Sequence, residues 1–182
     1  MQKKLLIFGI YLLLMAFNTV KATCSENRKP SEYEVKAAYI YNFAKFVEWP
    51  NGRFQTNNKT IHVCVIGDDP FGPSLSAIAG KTAGDRTVEI MRTVSLHNIR
   101  DCEIIFISNS EEEHVAQILK AINNSPALTI GDSEGFAQQG VMINFYFDNK
   151  TVRFEINPKA ARRVGMRISS NLLRIAKIVG EP

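Results

Sequence analysis

Residues Lys36 to Pro50, KAAYIYNFAKFVEWP, constrain this chain more than any other stretch. From Val35 to Trp49 only Lys36, Asn42, Lys45 and Glu48 are neither apolar nor aromatic. A surface helix normally carries one apolar stripe and one polar face. A helix that is apolar around most of its circumference must be covered on more than one side. Its inward stripe is expected to be Val35, Tyr39, Phe43, Phe46 and Val47. The burial of Ile40, Tyr41 and Ala44 then decides whether the helix is core or interface. Such a helix suggests an interaction protein before it suggests an enzyme.

An export signal precedes it. Lys3 and Lys4 form a basic start, Leu5 to Phe17 is apolar throughout, and Val20-Lys21-Ala22 fits a small-x-small cleavage site. The apolar run falls short of the ~20 residues that span a bilayer. The expected division is therefore 1–22 as a cleaved signal peptide and 23–182 as one domain. Cys24 lies near the cut, but Lys21-Ala22-Thr23 lacks the pattern that lipid attachment requires.

Cleavage removes Lys3, Lys4 and Lys21, so 22 basic residues become 19 against 18 acids, a balance of +1. A chain-wide basic charge, and with it nucleic-acid binding, loses its support. What remains is local: Lys150 to Lys177 holds eight basic residues and one acid, Glu155. That tail suits an acidic partner or a membrane surface, or simply solvates the outer faces of helices. Of the three cysteines, Cys64 and Cys102 lie in or beside predicted strands, and an oxidising compartment permits them to pair. Three unpaired thiols are the alternative.

The element pattern is that of an α/β fold. Ser31 followed by Glu34 is a capping-box signature, opening a helix that runs to about Glu48 and stops at Trp49-Pro50. Strands are expected over Ile61–Ile66, Arg86–Thr93, Glu103–Ser108 and Ala127–Ile130, with helices over Phe71–Ala79 and Glu111–Asn123. This alternation predicts a mostly parallel central sheet flanked by helices in a single domain. Val141–Phe147 and Thr151–Ile156 then read as a late antiparallel hairpin. Two C-terminal helices follow, Pro158–Val164 and Ser170–Val179, the second placing Leu172, Ile175, Ala176 and Val179 inward.

Catalytic signatures are missing from the sequence. Gly80-Lys81-Thr82 follows a helix where a phosphate loop would precede one. His62, His97 and His114 are far apart and near no metal-ligand spacing. Asp68, Asp69, Ser108 and Asp132 fall at strand ends, where sites gather in open α/β sheets, and carboxylates there can hold a hard divalent ion. The pattern loosely resembles a phosphoreceiver domain, yet the acceptor position is Ser108 or Asn109 and not aspartate. Turn-formers capping the next helices are the plainer reading. No metal, cofactor or catalytic residue is assigned. A small-molecule or metal-binding module, using those acids or an aromatic pocket near Trp49 and Phe54, stands as the alternative to a binding protein. For a partner interface the candidates are Tyr41, Trp49, Phe71, Arg163 and Arg174, since aromatic and arginine anchors dominate binding energy. For Tyr41 and Phe71 a place in the core is the simpler expectation.

KAAYIYNFAKFVEWP, VCVIGDDPFG (Val63 to Gly72) and RISSNLLRIAKIV (Arg167 to Val179) together resemble the YfiR-like periplasmic family. The likeness continues through DCEIIFIS (Asp101 to Ser108), LTIGDSEGFAQQGVMINF (Leu128 to Phe145) and VRFEIN (Val152 to Asn157). The resemblance implies a periplasmic regulator, not an enzyme. It would bind the periplasmic region of an inner-membrane diguanylate cyclase and hold it inactive, lowering cyclic di-GMP and biofilm formation. It also implies a homodimer and a disulfide at the positions of Cys64 and Cys102. A second family disulfide would fall near Ala137 and Asn144, neither of which is cysteine.

Overall fold

Ser31 Oγ accepts the Glu34 amide at 3.3 Å, and Glu34 Oε2 accepts the Ser31 amide at 2.6 Å. This reciprocal cap opens helix α1, Glu32–Phe46, in a computed structural model that describes residues 28–50, 59–92, 95–123 and 125–180. The buried positions of α1 are Lys36, Ala37, Ile40, Phe43 and Ala44. They recur at the three-and-four spacing of one helical face, and Val47 continues the stripe beyond the helix. The expected stripe is therefore rotated. Val35 and Tyr39 are only half-buried at its flanks, and Phe46 is 39% exposed. Ile40 is fully buried, so α1 is a core helix of its own domain.

The chain continues through strands β1 (Val47–Glu48) and β2 (Thr60–Ile66), helix α2 (Pro73–Ser76), β3 (Thr82–Ala83), β4 (Arg86–Met91) and β5 (Ile104–Ile107). Helix α3 (Val115–Ala121), β6 (Leu128–Gly131), α4 (Phe136–Gln139), β7 (Ile143–Asp148) and β8 (Thr151–Ile156) follow. The last elements are α5 (Pro158–Arg163), β9 (Arg167–Ile168), α6 (Ser170–Ile175) and β10 (Lys177–Ile178). Among the described residues the main sheet runs β3-β4-β2-β5-β6-β7-β8-β10. From β4 to β7 every neighbouring pair is parallel. This is a single α/β domain with a mostly parallel sheet.

Strand alternation builds two cores. Val63, Val65, Ile104, Phe106, Leu128 and Ile130 face α1, whereas Cys64, Ile66, Ile105 and Ile107 face α3. Consecutive strand residues point to opposite faces, so strands apolar throughout need helices on both sides. The hairpin β7–β8 turns at Asn149 and Lys150, whose φ angles are +48° and +63°. Two successive positive φ angles define the tight turn that matches strand twist.

The end of the chain departs from expectation. Helix α6 stops at Ile175, and Lys177–Ile178 lies parallel beside β8, with Lys177 opposite Glu155. Ile175 is consequently 62% exposed while Leu172 stays buried. The expected helix at Glu111–Asn123 is divided into a 3-10 segment, Asn109–His114, and α3. A short ladder, β1 with β9, ties the exit of α1 to the C-terminal region.

Candidate functional site

The strand-end acids do not converge. Asp69 Oδ2 accepts Arg92 Nε at 2.6 Å and its Oδ1 accepts the Phe71 amide at 2.8 Å. Arg92 is further held by the Gly72 carbonyl and Ser76 Oγ. Asp132, at the end of β6, turns instead toward α1, where its Oδ2 lies 2.9 Å from Lys36 Nζ. Ser108 is buried, and its hydroxyl meets its neighbour Asn109. Among the described residues no three His, Cys, Asp or Glu side chains are grouped to hold a metal ion.

Lys36 is 3% exposed. Its ammonium pairs with Asp132 and Glu32 and sits 4.6 Å from the Tyr33 ring centroid, with Phe145 and Phe147 next around it. A buried charge is tolerable only when paired and solvated by such groups. The Tyr33 hydroxyl donates to Asp132 at 3.4 Å. Burial, then the charges of Asp132 and Glu32, push the Tyr33 phenol up to about 12. Tyr33 therefore stays a neutral donor under all ordinary conditions.

On the opposite face Cys64 and Cys102 are bonded, with Cα atoms 5.9 Å apart. Both are fully buried among Ile66, Ile99, Ile105 and Ile118, and the bond joins β2 to the residues just before β5. Cys24 and Phe54 lie outside the described residues. Ala137 and Asn144, at the positions of the second family disulfide, are both buried. Asn144 Nδ2 donates to the Ser133 carbonyl at 2.9 Å and to Glu155 Oε1 at 3.3 Å, so hydrogen bonds occupy that position.

Of the candidate interface residues, Phe71 is a core residue. It is 2% exposed, edge-on to Phe106 at 4.7 Å and to Tyr33 at 5.2 Å. That corrects its place among surface anchors: the turn after β2 folds it back over the sheet. Tyr41 is half-buried, donates to the Thr82 carbonyl at 2.6 Å and lies between Lys45 and Lys81. Trp49 is also half-buried and packs against the α1 core. Arg163 and Arg174 are exposed, Arg174 donating to Asn171 at 2.7 Å. The sequence reading missed the surface apolar residues Phe46, Ile175 and Ile178. The exposure of Ile175 and Ile178 follows from the break after Ile175, which depends on pairing with β8.

The histidines have separate surroundings. His62 Nδ1 is 3.1 Å from the buried Glu103, which also accepts the His62 amide, a tie between β2 and the start of β5. His114 meets Glu111, and His97 is on the surface.

A family model described as YfiR/HmsC-like matches residues 33–177. Among solved structures, a conserved domain protein from Vibrio cholerae aligns with a TM-score of 0.53 at 14% identity, covering 82% of this chain and 60% of that one. The ABC domain in complex with L-Trp from Streptococcus pneumonia aligns with a TM-score of 0.54 at 14% identity, covering 79% of this chain and 60% of that one. This chain thus spans about three fifths of the length of either structure. At such identities the likeness is one of fold alone.

Proposed function

The chain belongs to the YfiR/HmsC-like family, and on that premise we propose that it is a periplasmic binding protein that restrains a membrane-anchored diguanylate cyclase. The family match over residues 33–177, almost the whole described fold, carries this reading. Residues 1–22 would be removed on export and 23–182 would form the working domain. Restraint needs no chemistry in this chain. A protein that binds one conformation of a sensor more tightly than another shifts the sensor's population.

The surface supports a binding role. Exposed Arg163 and Arg174 offer cationic anchors, and exposed Phe46, Ile175 and Ile178 offer apolar ones. No described helix is long and apolar enough to cross a membrane, so contact with a membrane sensor would be made through a domain surface. Capture of the tagged chain from envelope extract is expected to enrich an inner-membrane protein with a periplasmic sensor region and a cyclase domain. Co-expression of the two is expected to lower cyclic di-GMP. Arg163→Glu with Arg174→Glu should weaken capture while leaving the melting temperature unchanged. Repeated captures that yield no cyclase, or unchanged cyclic di-GMP on co-expression, would reject the reading.

A further inference from the structure

A cleft of about 560 Å³ opens at the carboxyl ends of β2 and β5. That place is set by topology. The chain goes from β2 to β4 on one side of β2 and then returns to β5 on the other. Connections leave the sheet in opposite directions there, which is where open α/β sheets bind ligands. The volume lies within the range of small-molecule sites, roughly 300–1,000 Å³.

The lining has a definite chemistry. Ile66 and Ile118 form an apolar floor continuous with the core around Cys64–Cys102, and Leu96, 38% exposed, adds an apolar wall. The polar groups are Asp68, Asp69, Glu111, His114, Gln117 and Ser95, with neither lysine nor arginine among the lining residues. Asp69 is engaged by Arg92, and Glu111 by His114 at 3.1 Å. The Asp68 amide donates to Ser110 at 3.0 Å, but its exposed carboxylate has no partner among the described residues. The wall beside it is close-packed. Gly67 has a φ of +83°, and a Cβ there would lie 2.4 Å from Ser110 Oγ and 2.8 Å from Glu111 Cγ. The end of β2 is therefore pressed against the segment that leads into α3.

We propose that this cleft binds a small organic cation, an amine carrying a compact apolar group. The ammonium pairs with Asp68, and the apolar group lies on Leu96, Ile66 and Ile118. The Asp68 carboxylate, unpaired among the described residues, repels phosphates and carboxylates, which disfavours nucleotides and organic acids. Four strands, β5 to β8, separate β2 at the cleft from β10 after α6, so ligand binding there is separable from capture of a protein partner at Ile175 and Ile178.

Phenethylamine and phenylacetate, which share a ring and differ in charge, make a suitable probe pair. In amide chemical-shift titrations of the mature chain, phenethylamine is expected to move resonances at Gly67, Leu96 and Gln117. Phenylacetate is expected to move none of them. Asp68→Asn should weaken phenethylamine at least about tenfold, the scale of a lost charge-assisted hydrogen bond. Leu96→Ala should weaken it while leaving the weaker binding of spermidine unchanged. Both variants alter exposed side chains, and unchanged spectra elsewhere will show that the fold persists. The proposal is overturned if phenylacetate binds as well as the amine, if Asp68→Asn has no effect, or if the shifts fall outside the cleft. It is equally overturned if spermidine binds more tightly than phenethylamine, or if neither amine binds.

Discussion

Lys36 Nζ and Asp132 Oδ2 stand 2.9 Å apart, with side chains only 4% and 6% exposed. The pair bolts the first helix to the carboxyl end of β6 across a sequence separation of 96 residues. Removing one partner of a buried pair strands the other, typically at about 3–5 kcal/mol. Lys36→Ala is expected to destabilise the fold by about 3 kcal/mol in urea denaturation. Lys36→Met combined with Asp132→Asn leaves no buried charge behind, only the partly exposed Glu32, and should cost less. A double variant as unstable as the single one would show that packing, not charge, sets the loss.

Tyr33 should ionise late. Its folded-state pKa, about 12, lies above the ordinary 10.0 because of burial first and the Asp132 and Glu32 charges second. The folded state therefore holds this proton at pH values where the unfolded chain has released it. Its stabilising contribution is complete below pH 10 and disappears as pH rises through about 12. Tyrosinate absorbance should show a late step that Tyr33→Phe removes. Asp132→Asn should move the step to lower pH.

The disulfide should carry a large share of stability. Its partners are 38 residues apart, and closing a loop of that length restricts the unfolded chain by about 4 kcal/mol. Reductant, or Cys64→Ala with Cys102→Ala, is expected to lower the denaturation midpoint accordingly. A midpoint indifferent to reductant would contradict the bond's role.

At the start of α1 the cap is local and separable. Ser31→Ala removes the hydroxyl that accepts the Glu34 amide and should cost about 1 kcal/mol. Hydrogen exchange at the Glu34 amide should accelerate more than at the buried positions Ile40 and Phe43. Uniform acceleration along the helix would instead indicate global loosening.

Which of these features could be read in advance follows from range. The Ser31–Glu34 cap and the strands around Val63, Ile105 and Ile130 depend on neighbours in sequence, and they were legible. The mostly parallel order followed from alternation of strands and helices. Lys36 was not legible as a core residue, because its burial depends on Asp132 and on an aromatic surround from β7. For the same reason Phe46 was assigned inward in place of Ala37 and Ile40. Ile175 and Val179 fit a helical face as well as they fit a short edge strand, and only the free edge of β8 decides between them. The strand-end positions of Asp69 and Asp132 were legible, but their convergence was not borne out, because each is engaged separately. Arg92 takes Asp69 and Lys36 takes Asp132, contacts invisible to spacing. The cleft's position at the strand ends beside Asp68 and Asp69 was legible from the α/β alternation, but its apolar lining by Leu96 and Ile118 was not, because those residues come from distant segments.

The connections of α1 also set an order of events. Its buried face rests on β8 and α6, its charge on Asp132, and its exit is stitched by β1 to β9. Every one of these partners is synthesised about a hundred residues after the helix itself, and contacts of long sequence separation form late. Until Arg167 and Ile168 have emerged, this apolar segment can rest only on its earlier partners around Val63, Phe71 and Leu75, with its cover incomplete. Any passage this chain makes as an unfolded thread therefore exposes Ile40, Phe43 and their neighbours from the outset. A segment whose cover is completed this late benefits from a holding chaperone from the first moment.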